Sequence, residues 1–118
     1  MSEWNTIYNN SKNIVGTFRH GQAFGRNPDR KLGSYNELCV FDIDGAQIAK
    51  IGNNSVHAMD GTLLGEWEYK PNEHYPKLNS GNKRLIVHGK VIGECLGLNE
   101  AAAAAIVLLS NELLASSS

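Results

Sequence analysis

The sequence has few of the residues and segments that mark several classes of protein. Its 118 residues include only two cysteines and three prolines, and the formal net charge is −1. Cys39 precedes a predicted strand and Cys95 takes an apolar position, so we expect two buried free thiols in a reducing compartment rather than the alternative, a disulfide between them. A net charge near zero indicates no general attraction to nucleic acid or to acidic membranes.

Segments for targeting and motifs for chemistry are also missing. No apolar run approaches the ~20 residues that cross a bilayer, and the N-terminus has no signal or transit pattern. We therefore expect a cytoplasmic chain without a membrane segment, folded as a single domain over residues 1–118. The four histidines lack the spacing of a metal site, and neither G-x-S-x-G nor a phosphate-binding loop occurs. The sequence predicts no catalytic residue, metal or cofactor.

What the sequence does contain is a repeat with a period of about 16 residues. Each unit of twelve positions begins with an apolar residue and has apolar residues at positions nine and twelve. Position ten is small, and the turn falls at positions five and six. The units start at 7, 24, 40, 56 and 84, and a 12-residue insertion lengthens the last interval. They are Ile7–Phe18, Phe24–Tyr35, Val40–Ile51, Val56–Trp67 and Arg84–Cys95, of which the last slips by one residue at its start.

Each unit has the size of one β-hairpin and a connector. Asp44-Gly45, Asp60-Gly61 and His88-Gly89 lie where a two-residue turn belongs, because glycine adopts the positive φ of a type I′ turn. The small residue at position ten weakens a strand, so its recurrence indicates close backbone approach at a crowded centre. The predicted fold is mainly β, with five short hairpins over residues 7–95 arranged radially or as a closed barrel. An open β-solenoid capped by a helix is the alternative.

The C-terminal part predicts one hydrophobic α-helix over residues 99–114. Asn99 is a plausible N-cap, and Ala101–Ala105 are the strongest helix formers. The apolar residues Ile106–Leu109 are consecutive, so they surround the helix axis and one buried face cannot cover them. Either the hairpins enclose the helix, or it packs on its own hairpins with one side and on a neighbouring subunit with the other. Because the ring of hairpins is expected to be crowded, we predict the second arrangement. A homo-oligomer through the helix follows.

The units "IYNNSKNIVGTF", "VFDIDGAQIAKI" and "VHAMDGTLLGEW" resemble the hairpin repeats of bacterial 4-fold beta flower domain proteins. That resemblance implies a small repeat-built β domain and carries over no catalytic residue, and this chain has five candidate units. The hairpins and the apolar C-terminal helix are also similar, more weakly, to tubby-like and scramblase-like proteins. There the resemblance implies a closed barrel around a hydrophobic helix.

Two stretches are candidates for binding; the alternatives are an ordinary solvated face for the first and an ordinary surface loop for the second. A cationic run in the first connector and second hairpin could hold a phosphate-bearing ligand or an acidic partner, since arginine donates in pairs to such groups. Its residues are Arg19, His20, Arg26, Arg30 and Lys31. The insertion at residues 68–83 and the residue before it supply amphipathic rings typical of partner-binding surfaces. These are Trp67, Tyr69, His74 and Tyr75.

These features leave three hypotheses for function. The leading one is a non-enzymatic binding or assembly module that recognises a protein partner or itself. The second is a small-ligand binder that captures a nucleotide or another phosphate-bearing molecule through the cationic hairpin. An enzyme is the third, and it lacks a nucleophile and base that spacing could pair.

Overall fold

The computed structural model describes residues 5–26, 30–69 and 82–116, which form ten β-strands and two α-helices. The strands are β1 (Asn5–Asn9), β2 (Ile14–Arg19), β3 (Gln22–Gly25), β4 (Arg30–Tyr35), β5 (Cys39–Phe41), β6 (Gln47–Ile51), β7 (Ser55–Ala58), β8 (Leu63–Tyr69), β9 (Asn82–Val87) and β10 (Lys90–Leu96). The helices are α1 (Asn99–Leu108) and α2 (Ser110–Ser116). The fold is therefore mainly β with a C-terminal helical segment, as the repeat predicts.

The ten strands close into one antiparallel barrel in sequence order, with β1 paired to both β2 and β10. Closure removes the exposed sheet edges that an open solenoid would have to protect. Each predicted unit forms one antiparallel pair of strands, so the strand ends joined within a unit lie at one end of the barrel and those joined between units lie at the other. We call these ends the hairpin rim and the connector rim. The insertion is narrower than residues 68–83, because Glu68 and Lys83 belong to β8 and β9.

A bulge recurs at the same place in all five hairpins and explains the repeat. The residue at position nine is the extra residue, so the register shifts beside it. The small residue at position ten then pairs with the inward residue of the other strand. These inward partners are Ile7, Ala23, Val40, Val56 and Leu85. The second unit therefore begins in space at Ala23, one residue before the predicted Phe24.

Three hairpin turns share one form that differs from the predicted two-residue type. In the turn after β5, the Gly45 N–H donates to the Asp42 carbonyl and the Asp42 N–H donates to the Ala46 carbonyl. Only Gly45 takes positive φ there, at 88°. The turn after β7 repeats this form with Gly61, and the turn after β1 repeats it with Lys12. The two-residue prediction holds for His88-Gly89, where both residues have positive φ.

Helix α1 lies inside the barrel, where its packing explains the glycines at position ten. Its alanines Ala101–Ala105 are fully buried and strands all around the barrel contact the helix. A Cβ on Gly65 would lie 2.7 Å from the Cγ2 atom of Ile106 and 2.9 Å from the Ile86 carbonyl oxygen. The position-ten glycines thus leave room for large side chains of the helical segment, with Leu109 beside Gly16 and Leu113 beside Gly93 in the same way.

The barrel encloses the helix, which removes the reason for expecting it to pack on a neighbouring subunit. Leu109 and Leu113 are fully buried within one chain, and the residue before α1, Leu98, rather than Asn99, is its N-cap, without a side-chain hydrogen bond. The helix is thus enclosed by its own hairpins, with Val107 and Leu108 half-buried, and the premise that a crowded ring leaves no room for it is wrong. Whether the chain forms a homo-oligomer stays a prediction.

No helix within the described ranges is long and apolar enough to cross a membrane.

Candidate functional site

The interior of the barrel is occupied by the chain's own helix. Wide β-barrels hold a ligand or a channel in that space. Here the inward side chains of Ile7, Val40 and Val56 are fully buried in the same cluster as the alanines of α1. Any binding surface formed by the described residues therefore lies on the two rims or on the outer wall of the barrel.

A buried polar cluster sits where α1 enters the barrel at the connector rim. Lys83 is only 1% exposed, and its ammonium group donates to the Gly97 carbonyl at 2.5 Å. The same nitrogen lies 5.5 Å from the centre of the Tyr69 ring, a cation–π arrangement. Lys83 pairs in register with Cys95 on one side and Tyr69 on the other. The lysine thus ties β9 to the segment that leads into the helix.

Asn5 makes the second connection of this cluster. Its Nδ2 donates to the Phe18 carbonyl at 3.0 Å, and its Oδ1 accepts from the Leu98 N–H at 2.8 Å. A Cβ on Gly97 would collide with the Asn5 side chain, so glycine is required beside it. The buried amide therefore fixes the start of α1 against β1 and β2.

Burial sets the protonation of the cluster. It raises the pKa of the Cys95 thiol to about 12, and the nearby Lys83 opposes this rise. Burial also raises the pKa of Tyr35, with the charges of Cys95 and Glu100 adding to the rise. It lowers the pKa of Lys83, an effect that Cys95 and Glu100 oppose. A thiol held protonated is a poor nucleophile, and the hydrogen bonds of Lys83 and Asn5 tie the start of α1 to the barrel wall.

The structure divides the predicted cationic run between the two rims. Arg19 and His20 lie at the connector rim, where His20 and Gly21 form a tight turn with positive φ. Arg26, Arg30 and Lys31 lie at the hairpin rim around the turn of the second hairpin. The Arg19 guanidinium lies 5.6 Å from the centre of the Phe24 ring, and the Arg30 guanidinium pairs with Glu112 of α2 at 2.9 Å. The five residues therefore do not form one anion site.

The predicted aromatic surface is only partly at the surface. Trp67 is 3% exposed and packs in the core, so its burial does not fit a role in binding a partner. Its indole Nε1 is buried and has no hydrogen-bond partner among the described residues. Tyr69 remains exposed at the end of β8. His74 and Tyr75 lie outside the described residues.

Cys39, predicted to be buried, is only half-buried, whereas Cys95 is fully buried.

The hairpin rim carries exposed apolar side chains that the sequence analysis missed. Ile43 and Met59 precede the Asp-Gly pairs of neighbouring turns and are 54% and 48% exposed. A second set occupies position eight, where the returning strand begins on the outer wall. This set is Ile14, Leu63 and Val91. Leu114 of α2 is exposed at the same end. The signal was the recurrence of large apolar residues at positions four and eight, where a solvated turn favours polar residues.

Charges on the hairpin rim are segregated by sign. The turns of the third and fourth hairpins carry Asp42, Asp44 and Asp60 and no cation. The hairpin-rim ends of the other three hairpins carry Lys12, Arg26, Arg30, Lys31 and Lys90, with Glu94 and Glu112 beside them; Asp29 lies outside the described residues. Hydrogen bonds from the Thr62 hydroxyl and N–H lower the pKa of Asp60, which keeps this carboxylate ionised.

Part of the cationic charge is matched locally. The Lys12 ammonium pairs with Glu94 at 2.9 Å, as Arg30 does with Glu112. Lys31 and Lys90 are exposed. Five hairpins around a closed ring place the acidic pair opposite the first hairpin, so one half of the rim is acidic and the other half is basic.

No group of three or more His, Cys, Asp or Glu side chains that could hold a metal occurs within residues 5–26, 30–69 and 82–116. Comparison of the chain with models of protein families, with curated proteins and with solved structures finds no match. The resemblance of the hairpin units to beta flower and tubby-like proteins therefore stays a prediction.

Proposed function

We propose that the chain is a non-enzymatic assembly module that docks a protein through its hairpin rim. The observation that supports this most directly is the exposure of Ile43 and Met59 on adjacent turns of a closed barrel. Turn residues gain nothing for the fold from large apolar side chains that remain in water. Protein interfaces commonly join such apolar anchors with a rim of charged and polar groups.

The filled interior supports a docking role over capture of a small molecule. Small-molecule sites are concave and bury most of the ligand. The barrel interior holds α1, and the apolar side chains of the hairpin rim are exposed on its turns, which favours a broad partner instead. The division of the cationic run between two rims also weakens the alternative of a phosphate-bearing ligand. The proposal includes a cytoplasmic location, which the two free thiols support.

Site-specific photocrosslinking tests the proposal. A photoreactive phenylalanine analogue replaces Met59 on the hairpin rim in one variant and Glu37 on the connector rim in a matched control. Both positions are exposed, so neither change should disturb the core. We expect irradiation in cells to give a discrete protein adduct from position 59 and none from position 37. Equal yields at both positions, or none at either, would contradict a docking role for this rim.

A further inference from the structure

The arrangement of charge on the hairpin rim identifies a partner of this surface. We propose that two copies of the chain dock rim to rim as a symmetric dimer, the acidic half of each copy facing the basic half of the other. This inference rests on the proposed function, because it uses the same surface and names its occupant.

The geometry follows from the order of the hairpins around the closed barrel. The third and fourth hairpins, with Asp42, Asp44 and Asp60, are neighbours, and the fifth, first and second hairpins form the basic arc. A twofold axis lying in the plane of the rim, along the boundary between the halves, brings each acidic half onto a basic half. Such an interface is isologous, so every favourable charge contact occurs twice. A rim of one sign would instead repel its own copy.

The apolar residues occupy the places that such a contact covers. Ile43 and Met59 stand on the acidic half, where they would meet the basic hairpins of the second copy. Lys31 and Lys90 offer aliphatic stems beside their charges, and such stems cover apolar surface well. The molecule measures 39 × 34 × 31 Å. A rim about 30 Å across presents on the order of 700 Å² per copy, close to the roughly 800 Å² per partner of a standard interface.

Charge reversal tests the dimer with two complementary variants. Asp44→Lys with Asp60→Lys makes the acidic half net basic although Asp42 remains, and Lys31→Glu with Lys90→Glu makes the rim largely acidic. Sedimentation equilibrium of the purified wild type is expected to show a monomer–dimer equilibrium that weakens as salt is raised. Each variant alone should dimerise at least tenfold more weakly. An equimolar mixture should recover association, since each acidic half again faces a basic half.

The control Glu37→Lys with Glu66→Lys makes the same change of net charge as Asp44→Lys with Asp60→Lys, but away from the hairpin rim. It should dimerise like the wild type. Thermal unfolding of every variant separates loss of folding from loss of association. A wild type that stays monomeric at several hundred micromolar, or a mixture that does not recover association, overturns the dimer. The photocrosslinking result at position 59 is read separately. An adduct with another protein, from a chain that is monomeric when purified, leaves the docking role standing and removes only the second copy.

Discussion

At the scale of single residues, the position-ten glycines are among the most tightly packed points of the structure. Gly65→Ala would place a methyl group against Ile106 and the Ile86 carbonyl, both already packed. We expect a loss of about 1–3 kcal/mol of stability, typical of overpacking. Gly52→Ala is the matched control, because its Cβ would make only ordinary contacts, at 3.5 Å or more. Urea unfolding measures both; equal stability of the two variants would show that the wall yields to a methyl group without cost.

The buried thiol of Cys95 gives stability a dependence on pH. Burial raises its pKa from 9.0 to about 12, so the folded chain keeps a proton that the unfolded chain releases above pH 9. The associated stability is fully present below pH 9 and is lost as the pH rises toward 12. Lys83, whose pKa is lowered, acts in the opposite direction and offsets part of this loss. Near pH 10.5 the Cys95 contribution has fallen by about 2 kcal/mol.

Cys95→Ala removes the contribution of this thiol to the pH dependence of stability. Its urea midpoint, although lower at pH 7 because of the lost packing, should fall less between pH 8 and 10.5 than that of the wild type. Cys39→Ala, which removes the half-buried thiol, serves as control. A Cys95→Ala variant with the wild-type decline would mean that other groups govern the alkaline response.

At the scale of elements, the enclosed helix makes a clear prediction. Leu109 is fully buried beside Gly16, whereas Leu114 on α2 is exposed. Leu109→Glu should cost several kcal/mol, since a carboxylate must enter the core or take up a proton there. Leu114→Glu should leave the fold intact. Thermal denaturation followed by circular dichroism distinguishes them, and a folded, cooperative Leu109→Glu variant would contradict enclosure.

A second prediction at this scale concerns the residues between β8 and β9. Tyr69 and Lys83 are direct partners in the antiparallel ladder. A two-residue Asn-Gly turn can therefore join them, as in the commonest hairpins. We expect replacement of residues 70–82 by Asn-Gly to preserve a cooperative thermal transition. Its loss, with the wild type measured alongside, would assign a structural role to the replaced residues.

The elements also show which features the sequence could predict. The hairpins could be predicted because the repeat shows which neighbouring strands pair and where the turns fall. The position-ten glycines correctly indicated a crowded centre. The repeat alone does not identify the occupant of that centre, because the position-ten glycines face large side chains, such as Ile106 and Leu109, of a segment far away in the chain. Ala101–Ala105 read as helix formers, yet their small size also lets the helix fit within ten strands. The start of the second unit was misplaced because Phe24 is the larger apolar residue, while the bulge register selects Ala23.

The candidate sites were predicted less well, for a physical reason. The cationic run is contiguous in sequence, but strand β3 separates its two ends by about 13 Å at 3.3 Å per residue. Trp67 has the composition of a binding residue, but it lies at an inward position of β8, and the alternation of the strand decides its burial. The rim was missed because its residues come from separate units and meet only when the barrel closes.

At the scale of the whole molecule, the barrel and its helix form one cooperative unit. The hydrogen bond from the Leu98 N–H to Asn5 joins the entry of the helix to the first strand, and α1 supplies the core that the wall residues need. A chain that ends at residue 98 would leave a large cavity in place of that core. Ten strands paired in a closed ring cannot collapse to fill it, so the cavity should destabilise the barrel strongly. We expect this truncated chain to lose its cooperative transition and to bind a dye specific for exposed apolar surface.

A chain that ends at residue 116 retains both helices and is the matched control, expected to unfold like the full chain. Addition of a peptide spanning residues 97–116 to the shortened chain gives the sharper measurement. Because the helix is the missing core, the peptide should restore a cooperative transition whose midpoint rises with peptide concentration, as binding to the folded state alone requires. A shortened chain that folds without the peptide would show that the ten strands form a stable barrel on their own, with the helix an addition to it.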